Sequence, residues 1–181
     1  AAESIWAARA GDERVALEIA AALTGKVVAR RSALYFDGGD FLADDQAVFV
    51  IPRVLRRNLQ CTVAKRDELT RMLAAEFKRR VVLLEESPDH HAAMFMVSAG
   101  TGTMLVGDPS LARAYWTSAD ARPTAQTGEE LWQPDFSPET QRLFDKVAEQ
   151  CTAAGYRVIR IPTLPGTDGK AYLTYVNVLL D

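Results

Sequence analysis

Cysteine is scarce in this sequence: Cys61 and Cys151 are the two in 181 residues. So wide a spacing gives no disulfide framework and no Cys-x-x-Cys metal or redox motif. Long apolar runs are missing as well, and none approaches the roughly 18 residues that a membrane span needs. The N-terminus lacks a charged-then-apolar leader pattern, so nothing points to secretion, and a reducing, cytoplasmic setting is expected. There is no basic excess either. Lys and Arg number 21 against 24 Asp and Glu, a formal charge of -3, which argues against a nucleic-acid partner. The clusters Arg30-Arg31, Arg56-Arg57 and Lys78-Arg79-Arg80 lie among acidic residues and read as solvated faces. What remains is the composition of an ordinary globular protein, 48% hydrophobic and 25% charged, able to bury its own core as a single domain over residues 1–181. The chain opens on Ala1 rather than Met, which reads as a processed or trimmed start.

The order of elements predicts a repeated α/β chain. Asp12 to Leu23 has a helical stripe of Val15, Ile19, Ala20 and Leu23, with Asp12 as N-cap and Gly25 after its end. Lys26 to Ala29 reads as a short strand. Leu34 to Phe36 leads into Asp37-Gly38-Gly39-Asp40-Phe41-Leu42, a polar turn at 43–46, and the strand Val48 to Ile51, ended by Pro52. Residues 67–78 have helical periodicity in Leu69, Met72, Leu73 and Phe77, and Val81 to Leu84 follows as a buried strand. The order then recurs. A strand begins at His91, a Gly-containing turn spans 100–102, and a strand covers 103–106. Ser137 and Pro138 open a helix whose buried stripe is Leu143, Phe144, Val147, Ala148 and Cys151, closed by Gly155. Tyr156 to Ile161 is the last strand of this unit. Residues 118–136 read as a long loop over one face. A third unit starts at Ala171 and offers one apolar strand to Leu180, an edge that a continued chain or a second chain would have to cover. Modules of about 26–84 and 91–162 result, with matching positions about 54 to 56 residues apart.

Within that repeat, Asp37 and His91 occupy the same point of two units. A carboxylate beside an imidazole is an acid-base pair, the carboxylate orienting and charge-stabilising the ring. Asp37-Gly38-Gly39-Asp40 is also readable as a β-bulge with two solvated carboxylates. Asp89-His90-His91 is readable as a metal set or the signature of some phosphoesterases, although the further acidic ligands are not evident. Gly100-Thr101-Gly102 lacks the Lys-Ser/Thr ending of a phosphate loop and reads as a hairpin turn. Cys151 falls on a core stripe as packing. Cys61 lies in a polar loop without an electropositive strand-end setting.

The string Leu34 to Leu42 with the strand at Val48-Phe49-Val50 resembles the acidic-Gly-Gly-Asp motif of the guanidino-group-modifying superfamily, the penteins. That group includes arginine and agmatine deiminases, amidinotransferases and dimethylargininase. His91 with Met94-Phe95-Met96, then Val106-Gly107-Asp108-Pro109, resembles the histidine-bearing hairpin of the family, and Tyr172 to Leu180 the start of its next repeat. The resemblance implies an α/β fold, part of a pentein propeller of ββαβ modules around a polar centre. It implies Cys/His/acid chemistry on an arginine-like guanidinium, hydrolysis or amidino transfer, with no cofactor and no metal. By position, Asp37 would orient His91, His91 would move protons, and Asp40 and Arg56 would bind substrate, Arg56 only with a one-residue shift of alignment. Ala93 stands where deiminases carry an acid, which is similar to the dimethylargininase branch. The family's upstream acidic ligand has no counterpart before Asp37, and its nucleophilic cysteine belongs beyond Asp181. The alternative reading is a non-catalytic relative that uses the scaffold for binding or assembly, with self-association or a second chain at the open C-terminal strand.

Overall fold

The structure, a computed structural model, describes residues 14–59, 61–116 and 133–176. The chain divides into two compact units, Ala1–Leu34 and Tyr35–Asp181. In the first unit residues 14–22 form a helix, α1, and Gly25 takes the left-handed conformation, φ 76°, just past it. The strand expected at Lys26–Ala29, which would have carried this helix on into a sheet, does not form: residues 27–32 have no regular structure. The proposed N-cap Asp12 lies outside the described residues, as do most of the long loop at 118–136 and the end of the third unit's strand.

The second unit is mixed α/β, and its two halves share one order of elements. In the first half β1 (Phe41–Ala43) and β2 (Ala47–Val50) pair antiparallel. Two helices follow, α2 (Pro52–Asn58) and α3 (Arg66–Phe77), and β3 (Arg80–Leu83) returns parallel to β2. In the second half β4 (Met96–Ser98) and β5 (Thr103–Asp108) pair antiparallel. Then come α4 (Pro109–Arg113) and α5 (Pro138–Ala153), and β6 (Arg157–Pro165) lies parallel to β5. A last strand, β7 (Tyr172–Thr174), pairs antiparallel with β6 through Thr163 and Thr174, so the start of the third unit already has a partner on one side.

The second strand of each hairpin is covered on both faces, which is why it lacks polar alternation. Val48, Phe49, Val50, Met104 and Val106 are at most 1% exposed. Against them α3 buries Leu69 and Leu73, and α5 buries Phe144, Val147 and Cys151 at helical spacing. Helix α5 follows its sequence signals closely. Ser137 Oγ accepts the Thr140 N–H at 3.2 Å, Pro138 takes the first turn, and Gly155 has φ 91° beyond the end. Approach is close where β5 meets α5 and β6: a Cβ on Gly107 would lie 2.7 Å from Phe144 Cε1 and 2.7 Å from Thr163 Oγ1.

Pro52 and Pro109 do more than end strands. Each opens a helix, because the first helical position needs no N–H and favours the fixed φ of proline. The short helix α2 was not evident in the sequence, and it carries the arginines that matter most below.

The halves are joined at Asp44. Its Oδ1 accepts from Gln46 N (2.8 Å), Ala47 N (2.9 Å) and the Tyr156 hydroxyl (3.0 Å), and its Oδ2 accepts from Ser98 Oγ at 3.1 Å. Burial pushes the Asp44 carboxyl up, but the backbone donors Ala47 and Gln46 and the Tyr156 and Ser98 hydroxyls outweigh it and hold it below the usual carboxylate range. Burial and the same carboxylate push the Tyr156 phenol up to about 12, and its ring packs edge-on against Phe49 at 5.1 Å.

Candidate active site

The candidate site starts from two 3-10 turns that open the two hairpins, where extended strands had been expected. Gly38–Asp40 forms the first, with Asp37 at its N-cap, and Ala92–Met94 forms the second, with His91 at its N-cap. Asp37 and His91 are thus equivalent in backbone as well as in sequence. The match runs further, since Ile51 N donates to Asp40 O at 3.1 Å and Gly107 N donates to Phe95 O at 2.9 Å, tying each turn to the end of its second strand.

The turns bring the side chains together. Asp37, Asp40 and His91 each place a polar side-chain atom within 4.8 Å of the others. His91 is exposed, Asp37 half-buried and Asp40 fully buried. The imidazole lies flat against the first turn: a Cβ on Gly39 would sit 2.3 Å from His91 Cγ and 2.5 Å from its Nδ1. Only a residue without a side chain admits the ring at that distance. Behind it, His91 N–H donates to His90 Nδ1 at 2.8 Å.

A buried carboxylate is costly unless it is paired and hydrogen-bonded. Asp40 is paired completely. Its Oδ1 accepts from Arg53 Nε (3.1 Å) and Nη2 (2.5 Å), and its Oδ2 accepts from Arg57 Nη1 (3.3 Å) and from the Asp37 N–H (2.8 Å). Arg57 Nη1 also donates to Asp37 Oδ2 at 2.9 Å. Asp40 therefore anchors the turn, and Arg57 bridges both carboxylates. Arg56, the arginine expected at the substrate, forms an exposed pair with Asp89 at 2.8 Å. The one-residue shift in the sequence match falls at this point, and Arg57 is the arginine that reaches the pair. On α2, residues 53 and 57 are four apart and share a face, and both reach Asp40, whereas Arg56 reaches Asp89.

The buried Asn58 was also not recognised in the sequence. Its Nδ2 donates to Tyr35 O and Val54 O, both at 2.8 Å, and its Oδ1 accepts Tyr35 N–H at 2.9 Å, which fixes the segment leading into Asp37. An asparagine in a helix that ends two residues short of a cysteine gives no sequence signal for this.

The three clustered residues are the group among the described residues whose donors could meet at a metal ion. The two guanidiniums already on the carboxylates place positive charge where a cation would sit, so the set does not fit a metal. The Asp89-His90-His91 reading is not assembled, because Asp89 turns to Arg56 and His90 Nδ1 is occupied by the His91 amide. Cys151 is buried, and burial pushes its thiol up to about 12. Cys61 is exposed and lies outside the Asp37, Asp40 and His91 cluster. Among the described residues no helix is long and apolar enough to cross a membrane.

No family model and no curated protein matches the sequence. Solved structures do. The chain is similar to the agmatine deiminase of C. jejuni, at 14% identity and a TM-score of 0.51, over 76% of this chain and 35% of that one. A cysteine-to-serine variant of that enzyme with substrate bound gives 13% identity and a TM-score of 0.52, over 76% and 36%. A protein provisionally described as a peptidyl-arginine deiminase gives 14% and 0.51, over 86% and 45%. The likeness is one of fold, a mixed α/β architecture shared with these deiminase structures. This chain spans 35% to 45% of the length of these structures.

Proposed function

We propose that this chain supplies the acid-base half of a guanidino-modifying site, in a protein that acts on an arginine-like guanidinium. The observation that carries the reading is the meeting of Asp37 and His91 from equivalent turns, within 4.8 Å together with Asp40. A thiolate adds to the guanidinium carbon, a C–N bond breaks, and the departing amine takes its proton from His91. Water then gives its proton back to His91 as its oxygen adds to the carbon, and the C–S bond breaks to release the ureido product and the thiol. Asp37 orients the imidazole and stabilises its cationic form. The thiol is neither Cys151, which burial keeps protonated, nor Cys61. The resemblance assigns it beyond Asp181, within a propeller whose centre these two modules line. Transfer of the amidino group to an amine in place of water uses the same residues. The absence of an acid at Ala93 supports the dimethylargininase branch of the superfamily.

The test is turnover of arginine, agmatine and N-methylated arginines by the natural protein, followed as ureido product and released amine. Turnover that His91→Ala and Asp37→Ala each reduce at least about 100-fold supports the reading. Full activity in His91→Ala, or no turnover of any guanidine by the natural protein, overturns it.

A further inference from the structure

The residue before the candidate proton carrier is itself a histidine, and the site described above does not use its side chain. His90 Nδ1 accepts the His91 N–H at 2.8 Å. On its other side the ring lies near the backbone of Lys170, in the turn between β6 and β7. Its centroid is 5.1 Å from that of Tyr172, at the start of β7, with the two rings tilted at 55°. An N–H donating to Nδ1 requires a lone pair there, so the ring is the neutral Nε2–H tautomer. A second proton would go to Nδ1 and replace the acceptor of the His91 amide with a donor.

We propose that His90 is a positioning residue for His91: a proton-operated clasp, seated against Tyr172 at the start of β7, that holds the His91 backbone amide when neutral and releases it when charged. The inference rests on the functional reading only in the use made of His91; the clasp itself is a matter of geometry.

The surroundings favour the neutral ring. Burial and the neighbouring His91 push His90 below the usual imidazole range, with Arg53 adding to that direction. The Lys170 backbone and the Asp168 carboxylate act the other way. Tyr172 packs on the ring as a neutral phenol, pushed up to about 12 by burial and by Asp135, Asp168 and Asp89. A histidine lowered in this way is fully engaged above its unfolded value of about 6.5 and is lost from the clasp as pH falls through the folded value.

The chain has two histidines, so its imidazole resonances report on this pair alone. The experiment follows the His91 amide proton and both imidazole C–H signals by NMR from about pH 7.5 to 4.5. Three proteins are compared: the wild type, His90→Phe and His90→Asn. The asparagine Oδ1 can replace Nδ1 as an acceptor but takes up no proton. In the wild type the His91 amide is expected to shift upfield once His90 is charged and to exchange roughly three- to tenfold faster than in His90→Asn at the same pH. His90→Phe is expected to show the fast-exchanging amide at every pH, and His90→Asn the protected amide throughout. An amide unaffected by His90 titration, or equally protected in His90→Phe, overturns the proposal. Turnover is not the readout, so a positive result with no activity on guanidines would overturn the function and leave the clasp standing.

Discussion

The two turns that open the hairpins are both short 3-10 turns and are held by opposite means. In each, a carbonyl accepts an amide from the end of the second strand, from Asp40 in one and Phe95 in the other. Around Asp40 the interior is filled by charge, two guanidiniums on one buried carboxylate. Around Phe95 it is filled by packing, with the ring fully buried and 6.4 Å from Phe144. The scaffold fixes where a residue sits and leaves open what chemistry it brings, provided each turn satisfies its own interior. A repeat of this kind can present a carboxylate from one copy and an imidazole from the next to the same place.

Removing the charge from one turn and the ring from the other tests that contrast most severely. Asp40→Ala leaves Arg53 and Arg57 without their acceptor and is expected to cost about 3–5 kcal/mol. Phe95→Ala is expected to cost about as much, ~3–5 kcal/mol, through the cavity it leaves. Urea unfolding of both variants checks this, and a cost below about 1 kcal/mol for Asp40→Ala would show that charge does not hold the first turn. Position 39 and its counterpart 93 sharpen the comparison. Gly39→Ala forces a methyl into the His91 ring, for an expected ~1–3 kcal/mol and a displaced imidazole with turnover lower by about 100-fold. Ala93→Gly is expected to cost about 0.5–1 kcal/mol without moving His91. The His91 ring shifts in NMR spectra separate the two cases.

Neighbouring arginines on α2 give a smaller contrast. Arg57→Ala removes hydrogen bonds to Asp37 and Asp40 and is expected to cost about 1–3 kcal/mol. Arg56→Ala breaks an exposed pair and is expected to cost at most about 1 kcal/mol. Equal costs in chemical denaturation would erase the distinction between a bridging and a surface arginine. The gentlest test is acid titration of the link between halves. Asp44 is held below the ordinary carboxylate range, so its contribution is complete above about pH 4 and is lost as pH falls through its folded value. Thermal melts from about pH 6 to 2.5 are expected to fall less steeply for Asp44→Asn than for the wild type. Parallel acid limbs would remove Asp44 from the account.

Much of this was legible in the sequence, for definable reasons. Helix α5 carried its cap, its proline and its terminal glycine within its own segment, and the strands at 47–50 and 103–108 stood out as β-branched and apolar runs. The equivalence of Asp37 and His91 followed from the spacing of the repeat. Local signals could not give the helix after Pro52, because proline reads both as the end of a strand and as the start of a helix. With α2 unseen, the face it presents was unseen too, and so was the contact of Arg57 with Asp37 and Asp40. The anchoring role of Asp40 depends on partners 13 and 17 residues away on that same helix. The contact of His90 with Tyr172 spans a still longer stretch of chain, which no short motif encodes.

The link at Asp44 has a consequence for how the molecule is made. Its carboxylate closes the turn of the first hairpin, yet it accepts a hydroxyl 112 residues further along, from Tyr156. A chain synthesised from its N-terminus cannot make that bond until both helices of the second half have been made. Contacts of such range delay folding, because the loop between them has to close before any reward arrives. The bond that joins the two halves is therefore among the last of the contacts to form.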